Sequence, residues 1–155
     1  MKHTVRRASP DSLPRLLEIE QESFSCPWSE ESFRGALKTD TVSVFVSEDE
    51  AGEITGFAVL LIVAGEGELL NIAASPSRRR TGIGQALLSR CLEECAARNV
   101  TVLYLEVRES NLPARSLYRK NGFREIGVRR DYYIKPRENA ILMRRDFAPE
   151  AEDSE

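Results

Sequence analysis

Side chains that hold metals or disulfides are scarce in this chain. Its 155 residues include one histidine, His3, and three cysteines, Cys26, Cys91 and Cys95. An odd, sparse cysteine set argues against the disulfide framework that staples small secreted domains. Cys91 and Cys95 share a face of a predicted helix, but a metal there would need two further ligands. The pair is expected to be small buried apolar residues, and no metal is expected. Long apolar runs are missing too. None approaches the ~20 residues of a membrane span. The opening MKHTVRRASPDSLPRLL has no apolar stretch of the signal-peptide kind. A cytoplasmic protein without a membrane partner is the expectation.

What remains is ordinary globular material, 41% hydrophobic and 30% charged, and long enough to fold without metals or disulfides. A single domain over residues 1–147 is expected, followed by an acidic, disordered tail at 148–155. The net charge of −3 conceals an asymmetry: residues 1–77 carry 6 basic and 13 acidic side chains, residues 78–147 carry 16 and 8. One half suits a cationic partner and the other an anionic one, unless the charges mix on a solvated surface.

Periodicity divides the chain into alternating elements. TVRRA (4–8) is a short strand, and residues 10–24 carry Leu13, Leu16, Leu17, Ile19, Glu20 and Phe24 at helical spacing. A second helix spans 29–38, with Trp28 just before its cap. Strands follow at 41–48, 54–64 and 68–76, the last two separated by a turn at Gly65–Gly67. From Gly84 a helix buries Ala86, Leu87, Leu88, Cys91, Leu92, Cys95 and Ala96 and turns Arg90, Glu93, Glu94 and Arg98 outward. A buried strand (101–107), a helix (112–120) stopped by Asn121-Gly122, and strands at 123–133 and 139–147 complete the order. The fourth and fifth strands are joined by a helix and should pair in parallel. The expected α/β fold is a mixed, mostly antiparallel sheet with that one parallel pair and helices on both faces.

Between the fourth strand and the third helix stands RRRTGIGQ (78–85). Glycines let backbone approach a ligand and take positive φ, and a helix start presents unpaired amides. With the helix dipole and the charges of Arg78, Arg79 and Arg80, the segment suits a phosphate or pyrophosphate. It is neither GxxxxGK[ST] nor GxGxxG. Three arginines without interleaved aromatics make a poor nucleic-acid surface, so no nucleic-acid partner is expected.

The stretch NIAASPSRRRTGIGQALL (71–88) resembles the acetyl-CoA-binding motif of the GNAT N-acetyltransferases, R/Q-x-x-G-x-G/A, here Arg79-Arg80-Thr81-Gly82-Ile83-Gly84. The resemblance extends over residues 4–147 and implies the GNAT acyl-CoA N-acyltransferase fold. It implies that Arg79, Arg80, Thr81, Gly82, Ile83, Gly84 and Gln85 hold the coenzyme A pyrophosphate. The backbone of Ile72, Ala73 and Ala74 would pair with the pantetheine arm. Three further stretches, CPWSEESF (26–33), LEVRESNLPARSLYRKNGF (105–123) and VRRDYYIKPRENAILM (128–143), are similar to bacterial members that acetylate the N-terminal alanine of a small-subunit ribosomal protein. An N-terminal peptide of a protein, probed as a monomeric enzyme's substrate, is the partner implied. Asp131 departs from the polar, often amide residue of that pattern, and Pro113 enters a first helical turn, where proline is tolerated.

The chemistry supports roles for particular residues. Acetyl transfer from a thioester needs a neutral amine, and an N-terminal amine (pKa ~7.7–8.0) deprotonates more readily than lysine (~10.4). Glu106 ends the apolar strand TVLYLEV and reads either as the general base or as a surface ion pair with Arg108 or a neighbour. Tyr118 is the proton donor by resemblance, or an aromatic packed under its helix. Asn111 is a pantetheine contact by resemblance, a helix cap by position, or both. The resemblance makes Trp28, Tyr132 and Tyr133 walls of the peptide groove, with core packing the other reading of Trp28. Glu20, Glu22, Glu30 and Glu31 are expected to face a basic peptide. The acceptor itself stays open between an α-amine, a lysine or a small amine, and a non-catalytic acyl-CoA-binding module is the rival of another class.

Overall fold

The structure, a computed structural model, describes residues 3–148. Residues 149–155, most of the expected acidic tail, lie outside the described residues. The order is β1 (Thr4–Arg7), α1 (Leu13–Ser23), α2 (Glu30–Lys38), β2 (Val42–Glu48), β3 (Ile54–Val63), β4 (Glu66–Ala74), α3 (Ile83–Ala97), β5 (Val102–Arg108), α4 (Leu112–Lys120), β6 (Arg124–Ile134) and β7 (Arg137–Asp146). Single 3-10 turns precede α1 at Pro10–Ser12 and α3 at Pro76–Arg78. The seven strands form one mixed sheet in the order β1-β2-β3-β4-β5-β7-β6. The expected parallel pair is present, Glu66↔Val102 through Leu69↔Leu105. β4 runs on for five residues, to Ala74, past the last of those pairs.

Two compact units divide the contacts. The first takes the chain through Leu61 together with Leu70–Glu94. Its core joins α1 and α2 to β2 and β3 through Leu16, Ile19, Phe33, Val46, Phe57 and Val59. Phe33 meets Phe57 edge-on with centroids 5.5 Å apart, and each such fully buried side chain contributes roughly 1.5–3 kcal/mol. α2 begins at a built cap: the Ser29 hydroxyl accepts from Ser32 N, while Trp28 stacks on Phe33 across the cap at 5.2 Å. That pair is a hydrophobic staple, one residue before the cap packed on one in the first full turn. Gly56 on β3 leaves no room for a side chain. A Cβ there would lie 2.7 Å from Ile83 Cγ2 and 2.8 Å from the Ala73 carbonyl oxygen.

The second unit takes Ile62–Leu69 and the chain from Cys95 onward. β7 pairs with β5 on one side and β6 on the other, both antiparallel. β6 carries two irregularities, at Glu125–Gly127 and at Arg129–Tyr133. In the second, three residues of β6 face only Asn139 of β7, so the strand bulges. Asp131 sits there at φ +53, its N–H donating to Asn139 Oδ1 at 2.9 Å. α4 starts with Asn111 accepting from Ala114 N and Pro113 in the first turn, unbroken as expected. It closes on Gly122 at φ +90, where Phe123 N reaches back to the Tyr118 carbonyl.

Three boundaries and one face differ from expectation. The turn before β4 is Ala64-Gly65, both at positive φ (53 and 80), a two-residue hairpin turn that lets β4 begin at Glu66. Residues 10–12 form a 3-10 turn ahead of α1. The last hairpin turns at Lys135–Pro136, so β7 begins at Arg137. On α3, Glu94 is not outward: it is 7% exposed and held by Arg7 (2.8 Å) and Arg90 (3.1 Å). Those two arginines lie against the Phe45 ring, which explains why the helix draws a carboxylate inward. Cys91 and Cys95 are buried, as expected. No helix among the described residues is long and apolar enough to cross a membrane.

Candidate active site

The glycine segment, the candidate anion cradle, consists of one turn and one helix start. Arg80 takes φ +65 and Gly82 φ +88, so left-handed residues stand on both sides of Thr81. α3 then begins at Ile83, with Gly84 already its second residue, so the amides of Ile83, Gly84 and Gln85 fall in the first turn, where helical partners are lacking. A Cβ on Gly82 would meet nothing within 4 Å, so open space adjoins the loop. Thr81 is tied on two sides: its hydroxyl donates to the Arg78 carbonyl (2.5 Å), and the Thr81 carbonyl accepts from His3 Nε2 (2.8 Å). Arg79 and Arg80 are exposed. Arg78 is not free to serve an anion, because it pairs with Asp49 at 2.9 Å with Glu53 at 3.8 Å. Hydrogen bonds from Glu53 N and Arg78 hold the Asp49 carboxyl below its usual range, burial opposing them.

Glu106 stands in a different setting. Alternation along β5 places Tyr104 and Glu106 on one face, and Glu68 pairs with Tyr104 from β4. These three, with Ile126, Arg129 and Met143, line a pocket of about 280 Å³. Glu106 Oε2 is buried and accepts no hydrogen bond. Among the described residues, the one cation paired with it is Arg129, whose Nε lies 3.7 Å away, beyond hydrogen-bond reach. Of the expected alternative, an ion pair with Arg108 or a neighbour, the second half is present: the pair is made by Arg129 and not by Arg108. Arg108 instead binds Glu138 (3.2 Å) and the carbonyls of Lys135 and Pro136.

Through those bonds Arg108 pins the last hairpin, and its guanidinium lies 4.2 Å from the Tyr133 ring centroid. Tyr132 and Tyr133 meet edge-on at 5.1 Å, Tyr132 exposed and Tyr133 half-buried. Burial first, then the negative charge of Glu106, pushes the Tyr133 phenol up to about 12. Tyr133 and Glu106 are therefore electrostatic neighbours, and the phenol remains protonated at neutral pH. Tyr132 is the last residue of the bulge and Tyr133 the first to pair again, with Glu138.

Tyr118 is 5% exposed, in the last turns of α4, with its ring 5.6 Å from Phe123. The packing that sequence allowed for it is present. Asn111 Oδ1 is engaged in capping α4, which leaves Nδ2 as the amide group able to donate elsewhere. Trp28 is half-buried, packed against the first unit's core as well as on Phe33.

Glu20 departs from the expected acidic face: it is 1% exposed. Oε2 accepts from Trp28 N (2.9 Å) and Oε1 from Asn71 Nδ2 (2.8 Å). Burial raises its pKa, against those two hydrogen bonds. Glu30 is engaged by Arg34, and Arg15 lies 4.0 Å from Glu22, so that face is largely self-neutralised. Asn71, Arg129 and Glu68 were not anticipated. Asn71 and Glu68 lie in an ordinary apolar strand, and Arg129 in a run of three charges. Glu20 did carry a signal, a charge at helical spacing among Leu13, Leu16 and Ile19.

Sequence and structure comparisons agree with this geometry. The chain is 36% identical over 143 residues to the [ribosomal protein bS18]-alanine N-acetyltransferase of Escherichia coli strain K12, covering 91% of this chain and 95% of that protein. It is 41% identical over 134 residues to the Haemophilus influenzae protein of the same name, covering 83% and 88%. The crystal structure of the Escherichia coli ribosomal-protein-S18-alanine N-acetyltransferase superposes with a TM-score of 0.89 at 34% identity, over 98% of both chains. The model of the acetyltransferase (GNAT) family matches residues 13–123, which contain the anion cradle, the Glu106 strand and Tyr118. With the seven-stranded sheet and its one parallel pair, that match makes this chain a member of the GNAT acetyltransferase family.

Proposed function

We propose that this chain is a protein N-terminal acetyltransferase that moves an acetyl group from acetyl-CoA to the α-amine of an N-terminal alanine, on a small-subunit ribosomal protein. The observation that carries the reading is the buried Oε2 of Glu106, which accepts no hydrogen bond, on the wall of a pocket. The names of the relatives at 36% and 41% identity support the acceptor. We take residues 1–147 as one catalytic domain working as a cytoplasmic monomer.

The residues present fit acetyl-CoA. The open space beside Gly82 suits a pyrophosphate on the amides of the Thr81–Gln85 segment, with Arg79 and Arg80 supplying charge. The β4 residues past its last pair with β5 include Ile72, Ala73 and Ala74, which suit an extended amide-bearing arm. Asn111 Nδ2 suits a carbonyl of the same arm. When bound, acetyl-CoA supplies the acetyl group as an activated thioester.

The chain's own part is proton management and placement. An α-ammonium cannot attack, so Glu106 Oε2, directly or through a water, takes its surplus proton. Arg129 stands 3.7 Å from that oxygen, too far to occupy it with a hydrogen bond. Nitrogen forms its bond to the acetyl carbon as the carbon–sulfur bond breaks; the Tyr118 hydroxyl gives a proton to the departing thiolate, and the extra proton that the nitrogen sheds on becoming an amide returns through water to the phenolate. Tyr133, protonated to high pH, is a hydrogen-bond donor and aromatic wall for the peptide rather than a base. Trp28 and Tyr132 supply further apolar surface to the acceptor.

The test is an acceptor panel with acetyl-CoA: basic peptides beginning with alanine, the same peptides with blocked N-termini and free lysines, and polyamines. Mass spectrometry locates the acetyl group. Acetyl on the α-amine of the alanine-first peptide is the expected result. Acetyl on lysine or a polyamine alone would overturn the acceptor, and acetyl-CoA binding without transfer to any amine would overturn the enzyme.

A further inference from the structure

Glu20 lies in the middle of α1 with 1% of its surface exposed. Its two oxygens meet two donors: the backbone N–H of Trp28 at 2.9 Å and the side-chain amide of Asn71 at 2.8 Å. Among the described residues no cation pairs with it. A carboxylate held away from water without a cationic partner is a cost to stability, and burial raises its pKa accordingly. Its chemistry nevertheless matches the place. Two donors need two acceptors, which an ionised carboxylate offers. One donor belongs to the residue that precedes the Ser29 cap of α2, and the other to the β4 residue just before Ile72. The Trp28 ring is anchored on Phe33, and its backbone is anchored by Glu20 alone of all the side chains described as bonding it.

We propose that Glu20 is a positioning residue for acceptor binding: by bridging Trp28 and Asn71 it fixes the loop between α1 and α2 against β4 and so sets the wall on which the acceptor peptide lies. The inference rests on the reading of Trp28 as an acceptor contact. It assigns Glu20 no contact with the reacting atoms.

The test exchanges the bonding partners. In Asn71→Asp the donor is lost and a second carboxylate faces Glu20 without a cation, a repulsion that turning the side chain over does not relieve. In Glu20→Gln/Asn71→Asp the glutamine accepts from Trp28 N and donates to the new carboxylate, so both bonds return. Trp28 is the only tryptophan, and its emission reports the loop without any acceptor. Asn71→Asp should redden that emission and raise the KM for an alanine-first peptide about tenfold, with kcat and the acetyl-CoA KM within about twofold. The double variant should return the emission and bring the peptide KM within about threefold of the parent. An unchanged peptide KM in Asn71→Asp, both KM values rising together, or a double variant no better than the single would overturn the proposal. Should Asn71→Asp fail to fold, as judged by circular dichroism, the double variant still decides. A folded double variant with the parent's peptide KM supports the proposal, and one with a tenfold higher value contradicts it. Failure of the underlying function looks different: the parent protein itself then transfers nothing to an α-amine, and the proposal falls with it.

Discussion

Glu20 and Glu106 are both carboxylates on regular elements, and they are used in opposite ways. Around Glu20 every oxygen is matched: each accepts one short hydrogen bond, and the side chain is closed off from water. Around Glu106 the match is left incomplete. One oxygen is buried without a hydrogen bond, its cation stands off at 3.7 Å, and a pocket of about 280 Å³ adjoins it. A satisfied buried carboxylate can hold structure, but enclosed as Glu20 is, it leaves an incoming proton no approach. An unsatisfied one is costly in a finished fold and is expected where a proton must be received. The comparison separates placement from chemistry within one protein, on hydrogen-bond grounds alone.

The comparison can be broken in several places. The largest effect is expected on the reacting side. Tyr118→Phe should lower kcat by about 10²-fold or more while calorimetry shows acetyl-CoA binding within about twofold. A small loss of kcat would leave Tyr118 only the packing role that its contact with Phe123 already shows. On the holding side, Gly56→Ala forces a methyl group to 2.8 Å from the Ala73 carbonyl oxygen and 2.7 Å from Ile83 Cγ2. It should cost about 1–3 kcal/mol, read as a fall in Tm of roughly 2–4 °C for each kcal/mol. Acetyl-CoA binding should weaken with it, because Ala73 and Ile83 flank the cradle.

A smaller, sharper effect lies in the Tyr133 titration. Its phenol is pushed up to about 12, chiefly by burial and next by the Glu106 charge. Glu106→Gln removes the second cause only. Tyr133 should then lose its proton at lower pH than in the parent, yet still above the ordinary value of ~10. Ring-labelled tyrosine NMR in the alkaline range checks this. An unmoved titration would separate Tyr133 from Glu106 and remove the phenol from the pocket's electrostatics.

Local rules made much of this legible before any coordinates. β-branched runs marked the strands, Ser29 and Asn111 marked helix starts, and Asn121-Gly122 marked a helix end, because each of these acts through bonds to its own near neighbours. The anion cradle was legible for the same reason, as a turn running into a helix. Features that depend on a distant partner were not. Arg78 reads as one of three equivalent arginines until Asp49 takes it. Glu94 reads as solvent-facing until Arg7 and Arg90 enclose it. The bulge that takes in Tyr132 and ends at Tyr133 is held by Asn139, eight residues past Asp131. Glu20 gave conflicting signals: its spacing pointed inward and its charge outward, and only Trp28 N and Asn71 resolve them. Glu106 was picked out by its strand position and by resemblance. That its Oε2 accepts no hydrogen bond could only come from the structure.

The most direct test of the account is Glu106→Gln, a change that keeps shape and removes the proton acceptor. Two quantities are measured on one preparation: acetyl-CoA affinity by calorimetry, and kcat on an alanine-first basic peptide. The account predicts unchanged affinity, within about twofold, and a loss of kcat of about 10²-fold or more. Activity close to that of the parent would show that the open oxygen of Glu106 is not where the proton goes.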